Sequence, residues 1–292
     1  MEQAYPGEME LRVPSYAKVN LVLDVLNRRP DGYHNIRTIM VAVSLADSVT
    51  LRPAAGIEVE MAPPIPGPVE ANLAYRAACL LREVTGYPGG AFIRVEKQIP
   101  LAGGLAGGST NAAAVLTGLN RLWGTGLSVS ELEALAIRLG SDVPFFVTGR
   151  PARVEGIGDR ITPIAVRAPF WLVLATPAVE KSTGTVYRWL DELQQVNHPD
   201  TMAMEEALAR GDLAAIAAAL GNVFEQVMIP RYPVIGELKQ VLVDHGALGA
   251  LMSGAGPTVF GVMPDESAAR RAAAALTAMG CPAWAVFTVI PA

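Results

Sequence analysis

Two periods of apolar and polar residues alternate down this chain, one of two residues and one near 3.6. Residues 10–13 and 17–26 predict strands. In the second, Val19, Leu21, Leu23 and Val25 alternate with Lys18, Asn20, Val22 and Asp24. Lys18 and Asn20, two apart, share a side of that strand, and a solvated sheet face is the plain expectation for it. Residues 36–43 and 47–52 predict a hairpin, and 57–61 a further strand. An extended connector, Pro63-Pro64-Ile65-Pro66-Gly67-Pro68, follows. Val69 to Val84 then predicts a helix with a stripe of Leu73, Ala77, Leu80, Leu81 and Val84, stopped by Gly86. Residues 91–98 predict a strand, and Ala112, Val115, Leu116, Leu119 and Leu122 mark a second helix ending near Gly124. Ser128 with Glu131 forms a capping box for a third, running to Leu139 and Gly140.

Beyond it, Arg153 to Asp159 reads as turn-rich and Ile161–Val166 as a strand. The second half opens with strand Phe170–Ala175 and a loop from Glu180 that enters a helix at Tyr187. Helices are expected at 201–210, 212–228, 233–245 and 266–279, and strands at 248–252, 258–263 and 284–289. Antiparallel strands with helices on one side make an α+β layer. Single cores stop growing at roughly 250–300 residues, so 292 residues favour two domains, divided here as 1–165 and 166–292.

Composition narrows the function classes. Net charge is −5 and the pI about 5.3, which argues against nucleic acid, since that ligand asks for a basic face. Cys79 and Cys281 fit a reducing compartment and lack metal-ligand spacing. No run of about 18 apolar residues occurs, so the mean hydropathy of +0.32 is assigned to buried elements. Glu2, Glu8 and Glu10 stand where a leader would be basic. A cytoplasmic protein with no membrane contact and no obligate protein partner is expected.

The chemistry gathers at Pro100-Leu101-Ala102-Gly103-Gly104-Leu105-Ala106-Gly107-Gly108-Ser109-Thr110-Asn111. Four glycines in six residues free the backbone for φ > 0. Ser109, Thr110 and Asn111 offer N-cap chemistry to the helix that follows. A glycine-rich loop entering a helix N-terminus suits a phosphate, although a flexible loop with a well-capped helix has the same letters. Neither a Walker A ending nor the dinucleotide G-x-G-x-x-G register is present. Other candidates are separate. Pro30-Asp31-Gly32 is a turn, with Tyr33 and His34 just past it able to stack on and hydrogen-bond a flat heterocycle. Asp142, ahead of Pro144, is either a helix cap or a general base. Tyr187 is core or ring platform. Ser253-Gly254-Ala255-Gly256-Pro257-Thr258 is a tight turn whose amides either line the same cleft or merely close a hairpin.

Ala17-Lys18-Val19-Asn20-Leu21, Pro100–Asn111 and the Ser253–Thr258 turn, in that order and spacing, resemble the three motifs of the GHMP small-molecule kinases. The resemblance spans nearly the whole chain. It implies a two-domain α+β fold: an N-terminal domain like ribosomal protein S5 domain 2 that binds ATP and carries catalysis, and a ferredoxin-like C-terminal domain for substrate. The Pro30–His34 turn and Gly140-Ser141-Asp142-Val143-Pro144-Phe145-Phe146 resemble the branch that phosphorylates an alcohol borne on cytidine diphosphate. By that resemblance Lys18 and Asp142 are the catalytic pair, and Pro100 to Thr110 holds ATP phosphates. Asn72, Leu73 and Lys97 lie near adenine. His34 reads cytosine with Tyr33 beside it, Tyr187 stacks on the base, and Asn20 lies near the reacting hydroxyl. ATP with Mg²⁺ is implied, with Ser109 the one suggested protein ligand and no dedicated metal carboxylate. Mevalonate- or homoserine-type kinases, and a non-catalytic nucleotide- or RNA-binding module, are the competing readings. Ala102 and Ala106 stand where glycine is frequent in the family, so they must avoid φ > 0 or carry strain.

Overall fold

The computed structural model describes residues 10–291, so Glu2 and Glu8 lie outside the described residues. The first half contains β1 (Leu11–Arg28), β2 (His34–Ala54), β3 (Ile57–Ala62), α1 (Leu73–Thr85), β4 (Gly90–Glu96), α2 (Gly107–Leu122), α3 (Val129–Ala136), α4 (Phe145–Thr148), β5 (Ala152–Gly156) and β6 (Arg160–Pro163). The second contains β7 (Trp171–Ala175), α5 (Thr183–Asp191), α6 (Thr201–Arg210), α7 (Leu213–Ala218), β8 (Gly221–Asn222), α8 (Glu225–Arg231), α9 (Pro233–Asp244), β9 (Gly249–Met252), β10 (Val259–Met263), α10 (Glu266–Ala278) and β11 (Ala283–Val289).

The chain forms two compact units. One takes the residues up to Ala17, Leu45–Ile99 and Ala106–Thr148. In it β4 runs antiparallel to the end of β2, with Ser48 opposite Glu96 and Ala54 opposite Gly90, and parallel to β3. Helices α1 and α2 pack together. Ala74, Ala77, Ala78 and Leu81 meet Ala112, Val115, Leu116 and Leu119 over Leu51, Ile93 and Val95, all buried. The small side chains let helices and strands approach closely, which is where dispersion contacts add up. Asn72 caps α1 by accepting from the Ala74 amide, and Gly86 closes it in the left-handed conformation. The Ser128–Glu131 capping box forms in full at α3.

The other unit takes Lys18–Ser44, Pro100–Leu105 and Gly149–Ala292. Its antiparallel ladder runs from the first part of β2 through β11, β7 and β10 to β9. The start of β2 also pairs with β5, and β1 pairs parallel with β8. Val173, Phe224, Ile235, Leu242, Val259 and Leu276 form its core.

Several expectations change. The hairpin at 36–52 is one strand, β2. Asp47, which reads as a turn residue, is fully buried and bonded to the chain around Gln98, so the strand continues through it. The helix expected at 212–228 is α7, then β8, then α8. Asn222 breaks it: its amide donates to the Met252 and Gly254 carbonyls while its oxygen accepts from the Phe224 amide. Residues 153–156 lie in strand β5 rather than in a turn, because both β2 and β6 supply partners. The polar side of β1 is not solvated: Lys18 is 3% exposed and Asn20 1%.

Candidate active site

In β1, Lys18 and Asn20 do project to one side, as a two-residue period requires. The Lys18 ammonium donates to Asn20 Oδ1 at 2.6 Å and to the Gly104 carbonyl at 3.0 Å. Asn20 Nδ2 donates to Thr38 Oγ1 at 2.8 Å, and Thr38 in turn donates to the Val22 carbonyl. A buried ammonium costs several kcal/mol of desolvation unless it is bonded on several sides, and these neutral acceptors provide part of that. The Lys18 amide also donates to the Leu105 carbonyl. The strand and the glycine loop are therefore joined by main chain as well as side chain.

The loop rests on the 253–258 turn. Ser253 Oγ donates to the Gly104 carbonyl, and the Thr258 amide to the Gly103 carbonyl. Gly104 has φ +80°, and a Cβ there would run into the Ser253 carbonyl oxygen. Gly254, at φ +59°, is confined less severely: a Cβ on it would lie 3.1 Å from the Gly104 oxygen and 3.3 Å from Lys18 Nζ. The turn thus brings bare backbone against the Lys18 ammonium.

Ala102 and Ala106 adopt φ of 54° and 58°, so of the two expectations the strained one holds, at about 1–2 kcal/mol each. Ala106 is also the N-cap of α2, and no side chain caps the helix there. Ser109, Thr110 and Asn111 are therefore inside the helix, not capping it. Thr110 and Asn111 turn inward: Ser15 Oγ donates to Thr110 Oγ1, and Asn111 Nδ2 donates to Ser15 Oγ and Asp47 Oδ2. Lys97 donates to Asp47 and to Asn111 Oδ1. Asp47 Oδ1 accepts the amides of Gln98 and Ile99. This buried network fixes the chain just before the loop and leaves the first amides of α2 without a side-chain cap. Such a helix start, with its positive dipole end, is suited to an anion. A Cβ on Gly107 would come within 3.1 Å of Lys97 Nζ, which places that ammonium at the helix start. Leu73 lies beside Gly108.

Asp142 sits in the turn before α4, half-buried, between the exposed Ser141 and the buried Val143 in the chain. The helix begins only at Phe145, so Asp142 is not its N-cap residue.

A second cluster surrounds His34. The Pro30–Gly32 turn is closed by Gly32 N–H donating to the Arg29 carbonyl, with Gly32 at φ +87°. Asp31 accepts the Tyr33 amide and pairs with Arg29. Tyr33 is left 64% exposed, while the His34 side chain is 9% exposed. The His34 ring stacks on Tyr187 (centroids 4.8 Å, 27° between planes) and Nε2 lies 2.7 Å from Asp191 Oδ1. Tyr187 meets buried Phe224 edge-on. Just before α5, burial and the nearby Lys18 charge push the Lys181 ammonium down to about 8.

Family models for the GHMP kinases N terminal domain and the GHMP kinases C terminal match residues 72–150 and 204–280. A "4-diphosphocytidyl-2-C-methyl-D-erythritol kinase" from Symbiobacterium thermophilum is 61% identical over 282 residues, 96% of this chain and 100% of that one. The chain belongs to the GHMP kinase family. A relative of the same name from Geobacillus thermodenitrificans is 47% identical over 90% of this chain and 91% of that one. A solved 4-(cytidine 5'-diphospho)-2C-methyl-D-erythritol kinase superposes with TM-score 0.83 at 38% identity, covering 95% of this chain and 99% of that one. A homoserine kinase from Cytophaga hutchinsonii, 20% identical with TM-score 0.76, shares the fold.

The expected two-domain α+β GHMP kinase fold is what the chain has. Within this GHMP kinase, the structure brings Lys18, Asn20, Gly103, Gly104 and the 253–258 turn together, and separately His34 with Tyr187. Sequence reasoning missed Thr38, Asp47, Lys181 and Asp191. Thr38, Asp47 and Asp191 carry no local motif, and Lys181 is masked by the cap signal of Ser182 next to it. No helix among the described residues is long and apolar enough to cross a membrane.

Proposed function

We propose that this chain transfers a phosphoryl group from ATP to the 2-hydroxyl of 4-diphosphocytidyl-2-C-methyl-D-erythritol, a step of the non-mevalonate route to isoprenoid precursors. What carries the reading is the relative of that name, matched along its whole length. The local geometry supports it. A buried ammonium lies against a glycine loop, and an uncapped helix start leaves that loop. A histidine is held edge and face beside an exposed tyrosine.

In this reading Asp142 takes the proton of the attacking hydroxyl, which contributes about 10²–10⁴ in rate. Lys18 stabilises the oxygen as charge develops on it. Asn20 orients Lys18 and the hydroxyl. Residues Pro100 to Thr110 hold the triphosphate through main-chain amides, since phosphoryl transfer depends mostly on positioning and electrostatics. Lys181 adds a second positive charge near Lys18, and an anion between them relieves their repulsion. Asn72, Leu73 and Lys97 line the adenine side. Tyr33 and Tyr187 offer faces to cytosine and His34 its edge. Residues 1–165 carry ATP and catalysis and 166–292 the substrate side. Among the described residues no group of three or more His, Cys, Asp or Glu is placed to hold a metal. Mg²⁺ would thus be held by phosphate oxygens with the Ser109 hydroxyl, and it would supply charge neutralisation. The site is expected to work in the cytoplasm.

Asp142→Asn tests the chemistry: kcat should fall at least about a hundredfold with nucleotide affinity kept. An active variant overturns the base assignment. A panel of the cytidine substrate, mevalonate and homoserine tests the substrate. Turnover of either simple alcohol in preference to the cytidine compound overturns the reading.

A further inference from the structure

Asp191 is the last residue of α5, where a carboxylate meets the negative end of the helix dipole. Its Oδ1 is 2.7 Å from His34 Nε2. A carboxylate only accepts, so the hydrogen of this bond resides on Nε2. Tyr187, from the same helix, covers one face of the imidazole at 4.8 Å and is itself braced edge-on by Phe224 at 4.8 Å. The ring is thus fixed in its plane by Asp191 and on its face by Tyr187, and α5 supplies both. With Nε2 committed, the nitrogen left to a ligand is Nδ1. In the neutral ring Nδ1 has a lone pair and no hydrogen.

We propose that Asp191 is a positioning residue that sets the base specificity of this protein: by fixing the His34 tautomer it presents Nδ1 as an acceptor, which selects an amino-bearing pyrimidine over an oxo-bearing one. This rests on the proposed reading in which His34 faces the base. Cytosine offers its exocyclic N4 hydrogens to such an acceptor. Uracil presents a carbonyl oxygen at the same place, and two acceptors facing each other leave both unpaired. A site built to bond one edge rejects the analogue that lacks the donor far more strongly than packing can. The selection therefore does not come from His34 alone, because an imidazole with its hydrogen on Nδ1 would favour uracil.

The test compares CDP and UDP binding by calorimetry at mildly alkaline pH. The full-length chain is used as wild type, Asp191→Asn and Asp191→Glu. Wild type should bind CDP at least about tenfold tighter than UDP. In Asp191→Asn the side-chain amide donates to Nε2 as readily as it accepts, so both tautomers are allowed. The CDP-to-UDP ratio should then fall to within about threefold or invert. Asp191→Glu, which keeps a carboxylate, should restore most of the preference. A structural role alone would weaken both nucleotides together and leave their ratio in place. An unchanged ratio in Asp191→Asn overturns the proposal, as does a wild type that binds CDP and UDP alike. Phosphorylation of the methylerythritol substrate by wild type is assayed in parallel. Turnover with an unchanged ratio sinks only the role of Asp191, whereas no turnover and no CDP binding sinks both.

Discussion

At the residue scale, the informative side chains are polar ones taken out of water. Lys18 has its acceptors on Asn20 and Gly104, and Asp47 closes a network with Lys97, Asn111 and Ser15. Lys181 is the exception, because burial and the Lys18 charge work against its own and hold it near 8 instead of 10.5. The sign of the consequence follows from proton counting. Between about 8 and 10.5 the unfolded chain keeps the Lys181 proton that the folded one has lost, so stability rises with pH over that window. Below 8 both states are charged and the folded form carries the full penalty. Denaturant midpoints across this range should climb more steeply in wild type than in Lys181→Met. Parallel profiles would mean that Lys181 is not buried against Lys18. None of this was readable from the letters Glu180-Lys181-Ser182, which signal only the entry to a helix. Lys18 and Asn20 were readable as neighbours on one strand face, but their burial was not, since alternation says which residues share a face and not whether anything covers it.

At the element scale, the loop and the 253–258 turn fit each other only because their glycines lack Cβ atoms. Gly104→Ala places a Cβ against the Ser253 carbonyl at φ +80° and should cost about 1–3 kcal/mol of stability. Gly108 differs. It lies inside α2, and an added Cβ meets only Leu73 Cδ1 at 3.7 Å. Gly108→Ala should keep or gain stability, up to about 1 kcal/mol by helix propensity, yet raise KM for ATP several-fold by blocking approach to the helix start. Thermal melts and ATP titrations separate the two. An unchanged KM in a stable Gly108→Ala removes α2 from the phosphate site. Elements with complete local signals were legible, as α3 with its capping box and α1 with Gly86 illustrate. Strand β2 and the α7–β8–α8 segment were not. In both, a polar residue that reads as a turn former or a helix surface is buried on distant backbone: Asp47 on Gln98 and Ile99, and Asn222 on Met252 and Gly254.

At the scale of the whole molecule, the chain enters each compact unit more than once. Residues 18–44 and 100–105 fold with 149–292. The end of the first part of β2 finds its partner in β11, Thr288 opposite Val43. A fragment ending at residue 165 would leave 18–44 without β7, β10 and β11, exposing Leu23, Val25 and Ile36 that are now buried. Such a fragment should fail to melt cooperatively and should self-associate in gel filtration. A monomeric fragment with a sharp transition would contradict this. The sequence by itself determined the periods of most elements, the glycine-rich loop that frees backbone for phosphate, and the motif order that marks a GHMP kinase, because each depends on residues close in the chain. Only the tertiary structure decided which groups accept hydrogen bonds from Lys18, that Ala102 and Ala106 carry left-handed strain, and that Asp191 holds His34. Those depend on neighbours 86 and 157 residues away for Lys18 and His34, and a partner that distant is chosen by closure of the fold and has no local signal.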